Sequence, residues 1–392
     1  MTGGRIAPFG RISLAIAAVT AIFGLQFLLR DLIALRGGEA IDDYVRLGRD
    51  FVNVWQGGTL GATGRTAILY DIEAYRQSLW AALHVKGIYA YSYPPHSLFL
   101  AIPFSLIPYP MALLAWTLIG LALFVHAAAP YLRDVGLPWW LGAALPAGFV
   151  TVWAGHYGFF IGALALHGWR WFDRAPGKSG LAFAMMTIKP HLGLLVLPIM
   201  LLRRGWLAMT VAGGVTLALI AVSAALFGWQ MWPTYLFHTL AFHAGLIDAP
   251  EMAFHTMMPT TAVAMLRLGA PEIWANGTQL ATAAYALFVI VRSALARIST
   301  VDLGLMAGTA IFLILPYAFI YDMTVHCLAA LVFAARARGV HAALRRIVLG
   351  LAFILPLVQM TLAAMHLPFA PLILLLALYV ESRVALEQGD RA

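Results

Sequence analysis

The sequence predicts an all-α polytopic membrane protein that crosses a lipid bilayer about ten to twelve times, and three observations carry that expectation. Hydrophobic residues make up 62% of the 392 and charged residues 11%, with a mean hydropathy of +0.84. Soluble domains hold about a quarter charged residues and under half apolar ones, so lipid must be the solvent. Apolar runs approaching the roughly 20 residues that carry a helix across about 30 Å of hydrocarbon recur along the whole chain, which predicts one membrane-embedded domain over 1–392. Much of the Lys and Arg falls in short segments between those runs. That is the positive-inside pattern, so the net charge of +8 reports topology and not a nucleic-acid partner. A single cysteine, Cys327, excludes an intramolecular disulfide and any Cys-based zinc site.

Taken in order, the run 12–29 follows Arg5 and Arg11 and lacks a small-residue cleavage site, so it predicts a retained first helix with a cytoplasmic N-terminus. It delivers the longest polar stretch, 31–95, to the far side. The run 97–107 is bounded by prolines and too short to span. A full span over 110–128 returns to Arg133, and helices over 138–153 and 158–172 leave Gly155-His156-Tyr157-Gly158 at an outer turn. The stretch 180–202 has basic residues at both ends, which a single crossing cannot satisfy; a pair of short helices broken near Lys189-Pro190 resolves the conflict. The chain then crosses outward by Phe227 into a second outer loop, 229–258, and a short run over 259–268 follows. Crossings over 279–295, 303–318, 320–335, 347–364 and 367–380 complete the chain, with inner ends marked by Arg292, Arg297, Arg336, Arg338, Arg345, Arg346 and Arg383. This threading places Asp50, Tyr93, His156 and Asp322 on one side of the membrane. No internal repeat is evident, which weighs against a transporter or flippase of a lipid-linked saccharide.

Asp50 opens a loop rich in aromatics and glycines, a pattern that suits a carbohydrate cleft and equally an interfacial loop with Trp anchors and a helix cap before Phe51. Lys189 lies deep in an apolar segment, where a lysine costs roughly 2.5–3.5 kcal/mol on insertion scales; a phosphate, an internal carboxylate or the nearby interface could satisfy it. Asp322 and His326 are four apart, hence on one face of a continuous helix. His238, His243 and His255 match no familiar ligand spacing, so no metal is expected from them.

The segment from Asp50, with Trp55, Gly57, Gly58, Gly64 and Leu69-Tyr70-Asp71 at their intervals, resembles the first-loop motif of glycosyltransferase family 87. Ser92-Tyr93-Pro94-Pro95, the turn 155–158, the stretch 187–198 and Tyr321-Asp322 resemble the same family in order. The sequence departs from it in carrying His156-Tyr157 where amides are usual and His191 where Gln is, which bears on donor or acceptor preference.

The resemblance implies a GT-C-type bundle in a bacterial inner membrane, with its site facing the periplasm. It implies transfer of a hexose, mannose among the candidates, from a polyprenyl-phosphate donor to a lipid or glycan hydroxyl, with inversion and no cofactor. On that reading Asp50 is the general base, with Asp42 and Asp43 as its rivals. Lys189, His156 and Tyr93 meet the donor phosphate, and Asp322, His326 and Trp55 hold the acceptor or relay protons.

Overall fold

The computed structural model describes residues 8–35, 40–42, 44–87, 89–239, 253–296 and 298–389. Among them there is no β-strand, only an isolated bridge between Ala40 and Arg46. The chain opens with α1 (Pro8–Ala34), α2 (Phe51–Ala62), α3 (Ile72–Leu83), the short α4 (Leu98–Ser105) and the long α5 (Tyr109–Arg133). It continues through α6 (Pro146–Ala154), α7 (Gly158–Trp171), α8 (Pro176–Met186), α9 (Val196–Leu202), α10 (Trp206–Phe227) and the one-turn α11 (Met231–Thr234). Then come α12 (Thr261–Arg267), α13 (Glu272–Leu295), α14 (Thr300–Ile314), α15 (Thr324–Arg336), α16 (Ala342–Ala364) and α17 (Phe369–Gly389).

Six of these helices, α1, α5, α10, α13, α16 and α17, are long and apolar enough to cross a membrane. The chain is a multi-pass membrane protein. The remaining predicted crossings are shorter than the sequence suggests: α6 and α7 have 9 and 14 residues, and α14 and α15 have 15 and 13. At about 1.5 Å per residue none reaches about 30 Å. These short helices fill the interior, whereas α10 buries only Ala208 and Ser223 and lies along α8 with its apolar side chains outward.

Helices can break inside a membrane protein only where protein satisfies the freed backbone groups. Between α14 and α15 the chain is non-helical around Pro316, and side chains do that service. Gln279 on α13 donates to the Leu313 carbonyl at 2.8 Å, Thr260 to that of Pro316 at 2.9 Å, and Thr151 on α6 to that of Tyr321 at 2.7 Å. The break predicted at Lys189-Pro190 is also present, with a 3₁₀ turn over Pro190–Gly193 joining α8 to α9.

The segment expected as a polar outer loop, 31–95, is more structured than its composition suggests. Helix α1 runs on through Asp31, which is buried, and α2 and α3 join the core of the bundle through Phe51, Val54, Leu60, Tyr75 and Leu79. Asp71 caps α3 by accepting from the Ala74 N–H at 3.0 Å.

Helix α5 fixes two ends of the bundle. At its start the Tyr109 hydroxyl donates to the Leu47 carbonyl, beside Asp50, at 2.8 Å. Its other end reaches Arg133 after 25 residues, about 37 Å of helix. Four arginines tie helix termini together at this second end. Arg170 pairs with Asp134, Arg336 with Asp302, and Arg345 with Glu387 at 2.6 Å, while Arg203 donates to the Ile298 carbonyl.

Candidate active site

Three segments far apart in sequence meet at the first end: the turn before α2, the turn joining α6 to α7, and the break before α15. Two glycines allow the approach. Gly155 has φ +64°, and a Cβ there would fall 2.3 Å from the Gly48 carbonyl oxygen; one on Gly158 would fall 2.2 Å from that of Tyr321. The Asp50 N–H donates to the Ala154 carbonyl at 2.9 Å, sealing the first two segments together.

The turn that presents Asp50 is strained. Gly48 and Arg49 both have positive φ, +79° and +37°, a conformation that costs a residue with a Cβ roughly 1–2 kcal/mol. Arg49 is held there by an ion pair to Asp31 on α1 at 2.7 Å and by its guanidinium lying 4.2 Å from the ring centre of Trp153 on α6. Asp50 heads α2 with helical backbone angles, and its side chain makes no cap hydrogen bond. The carboxylate instead interacts with Tyr321, Lys189 and Asp322.

Lys189 enters from the α8–α9 break. Its ammonium group donates to both Asp322 oxygens at 2.7 Å and to His156 Nδ1 at 3.3 Å. That ring nitrogen also accepts the Tyr157 N–H at 2.8 Å, and His156 Nε2 lies 2.9 Å from the Tyr93 hydroxyl. The imidazole stacks on Tyr321 with centroids 4.2 Å apart, and Tyr321 stacks in turn on Phe319 at 4.9 Å. Lys189, Asp322, His156 and Tyr93 are all buried, whereas Asp50 is partly exposed. Burial pushes the Asp50 carboxyl up to about 6; Lys189 and Arg49 pull it down, Asp322 adds to the rise, and the Tyr321 hydroxyl reaches the carboxylate and favours its charged form.

Five of the seven residues singled out from sequence thus come together: Asp50, Tyr93, His156, Lys189 and Asp322. Lys189 is satisfied by an internal carboxylate, one of the partners its sequence context allows. His326 is not brought to the cluster. The expectation that it shares a helix face with Asp322 fails because Asp322 belongs to a one-turn 3₁₀ segment, Ile320–Asp322, ahead of α15. The His326 ring instead bonds the Thr309 hydroxyl and the Ala352 carbonyl, each at 2.9 Å. Trp55 lies one turn into α2 and donates to the Ile107 carbonyl at 3.0 Å, anchoring α2 where α4 joins α5. Of the rival bases, Asp42 accepts from the Tyr44 and Val45 N–H groups at 2.7 and 2.8 Å, and Asp43 lies outside the described residues. His243 and the side chain of His238 also lie outside them, and His255 packs its ring on Phe254. Sequence reasoning missed Tyr321 as a site residue, and it missed the Asp31–Arg49 pair entirely.

The profile of glycosyltransferase family 87 matches residues 91–316, more than half of the chain. The chain belongs to glycosyltransferase family 87. No curated protein and no solved structure matches it. A family 87 chain is a membrane glycosyltransferase, and the matched region holds Tyr93, His156 and Lys189. Asp322 lies just past its end and Asp50 well before its start, and both reach the same cluster through the fold.

For this family 87 protein the arrangement places two distinct chemistries side by side. The Asp50 carboxyl, raised by burial to about 6, is ionised at neutral pH yet basic enough to accept a proton. Beside it lies a buried network of donors able to face a group on which negative charge develops.

Proposed function

We propose that this glycosyltransferase moves a hexose, mannose first among the candidates, from a polyprenyl-phosphate carrier to a hydroxyl of a lipid or glycan acceptor. The arginine-rich end of the bundle then lies in the cytoplasm by the positive-inside rule. The Asp50 end faces the periplasm of a bacterial inner membrane. An isoprenoid carrier needs access from lipid, and a donor of this kind keeps its chain in the bilayer while its phosphate rests at the interface.

The observation that carries this reading is the pairing of Asp50 with the Lys189–Asp322–His156–Tyr93 network at the end of the bundle opposite the Arg170, Arg336 and Arg345 ion pairs. Asp50 takes the proton of the acceptor hydroxyl. The acceptor oxygen bonds to the anomeric carbon from the face opposite the phosphate, and the carbon–oxygen bond to phosphate breaks with its electron pair staying on the phosphate. A phosphodiester monoanion and an Asp50 carboxylate give a polyprenyl phosphate dianion, a neutral Asp50 and an inverted glycoside. Protons and charge balance without a cofactor.

The test is a panel of polyprenyl-phosphate hexoses given to the purified chain in lipid nanodiscs, with glycoside products identified by mass spectrometry. At least one donor is expected to turn over, and Asp50→Asn to lower transfer by about 10²–10⁴-fold while the protein still inserts and folds. Full turnover by the Asn variant removes Asp50 as base; a panel with no consumed member removes the donor class.

A further inference from the structure

The hydrogen bonds around His156 run in directions that chemistry fixes, and following them leads to one hydrogen. A backbone N–H and an ammonium group can only donate, so His156 Nδ1, which receives the Tyr157 N–H and Lys189 Nζ, carries no proton. A neutral imidazole then has its proton on Nε2. That N–H donates to the Tyr93 oxygen at 2.9 Å, so the hydroxyl hydrogen of Tyr93 is not used in this bond. It meets no acceptor among the described residues.

The Lys189 donors behind His156 are all occupied. Two Lys189 hydrogens rest on Asp322 and the third on His156. The Tyr93 ring is held by Tyr157 and Tyr91, with centroids 4.5 and 5.4 Å away, and its own carbonyl accepts from the Tyr70 hydroxyl at 2.7 Å. Tyr93 is only 4% exposed, so this hydrogen is confined to the protein interior, within electrostatic reach of Asp50 and Asp322.

We propose that the Tyr93 hydroxyl is the group that donates to the departing phosphate oxygen, and that Lys189, Asp322 and His156 act on the reaction through it. This rests on the polyprenyl-phosphate reading above and names the contact within it. As the carbon–oxygen bond breaks, the electron pair moves onto the phosphate oxygen, and Tyr93 strengthens its hydrogen bond to that oxygen without giving up its proton. His156, polarised by Lys189, donates from behind and makes the hydroxyl a better donor. Tyr93 is thus the catalytic contact; His156, Lys189 and Asp322 are positioning residues.

The experiment uses the full chain in lipid nanodiscs with polyprenyl-phosphate mannose, and the other hexoses of the panel if mannose is not consumed. The readout is polyprenyl phosphate released per folded protein. Tyr93→Phe keeps the ring and is expected to lower kcat by about 100-fold, with the donor KM changed by less than about threefold. His156→Ala alone is expected to lower kcat comparably. Added to Tyr93→Phe it is expected to change kcat by less than about threefold, because residues acting as a unit are strongly non-additive. A Tyr93→Phe enzyme with kcat within threefold of wild type overturns the proposal. Multiplicative losses in the double variant also overturn it, since His156 would then meet the donor itself. A wild-type chain that consumes no polyprenyl-phosphate hexose fails the donor reading and takes this contact with it.

Discussion

Two buried clusters in this molecule pair a histidine with a carboxylate and a hydroxyl, and they differ in what surrounds them. In the first, His156 bonds Tyr93, Asp322 is matched by Lys189, and the partly exposed Asp50 opens the group to its surroundings. In the second, His326 bonds Thr309, which donates to Glu381 at 2.8 Å, and the ring's other nitrogen meets the Ala352 carbonyl. This second group joins four helices, α14 to α17. His326 and Glu381 are both fully buried, and nothing in the cluster has an open side. Polar residue types alone therefore do not mark a site. A cation, an exposed neighbour and a broken backbone distinguish the cluster at Asp50 from one that ties helices together.

Substitutions can break or sharpen that contrast. The largest effect is expected from Lys189→Met, which strands Asp322 in the interior. Removing one partner of a buried pair costs about 3–5 kcal/mol, so thermal unfolding in detergent should show a large drop together with lost donor use. A variant of unchanged stability and unchanged donor dependence would make the ion pair incidental. Thr309→Val takes the linking hydroxyl from the second cluster and leaves the facing His and Glu atoms without it, at about 1–3 kcal/mol. Its turnover per folded molecule should stay within about twofold of wild type. A selective loss of turnover would give the His326 cluster a part in the reaction and end the contrast.

The smallest effect belongs to Tyr157→Phe. The Tyr157 hydroxyl is buried and has no hydrogen-bond partner among the described residues, so its removal should stabilise the fold by up to about 1 kcal/mol, read as a raised thermal midpoint. A lowered midpoint would mean that the hydroxyl is satisfied in solution.

Much of this was legible in the sequence where local chemistry has only one outcome. Lys189-Pro190 announces a break because proline removes a donor and a lysine in hydrocarbon needs a partner, and the break is there. The partner itself, Asp322, is 133 residues away, and no local pattern names it. The i, i+4 argument for Asp322 and His326 misled because it presumes a continuous helix, whereas Pro316 begins a stretch in which the chain leaves the helix before α15 starts. The Asp31–Arg49 pair was hidden for a similar reason. Asp31 reads as the first residue of a polar loop, yet α1 continues through it, and only the folded turn shows why a left-handed Arg49 can be tolerated. Tyr321 stood in a recognised motif, but its stacking on His156 arises from the approach that Gly158 permits.

The raised pKa of Asp50 has a consequence for stability as well as rate. A carboxyl shifted from an ordinary value of 3.8 up to about 6 favours the fold when protonated; that contribution is complete below about pH 4 and is lost as pH rises through about 6. Asp50→Asn should therefore raise the thermal midpoint at pH 7 and change it little at pH 4. A midpoint lowered at pH 7 would instead point to an Asp50 carboxylate that supports the fold.

The most direct test of the account is the pH dependence of sugar transfer by the wild-type chain at saturating acceptor. Transfer should climb with pH through an apparent pKa of about 6 and then level off, and the residual activity of Asp50→Asn should lack that rise. A wild-type rate that is flat from about pH 4.5 to 8, or an Asn variant that keeps the same limb, would contradict Asp50 as the group that takes the acceptor's proton.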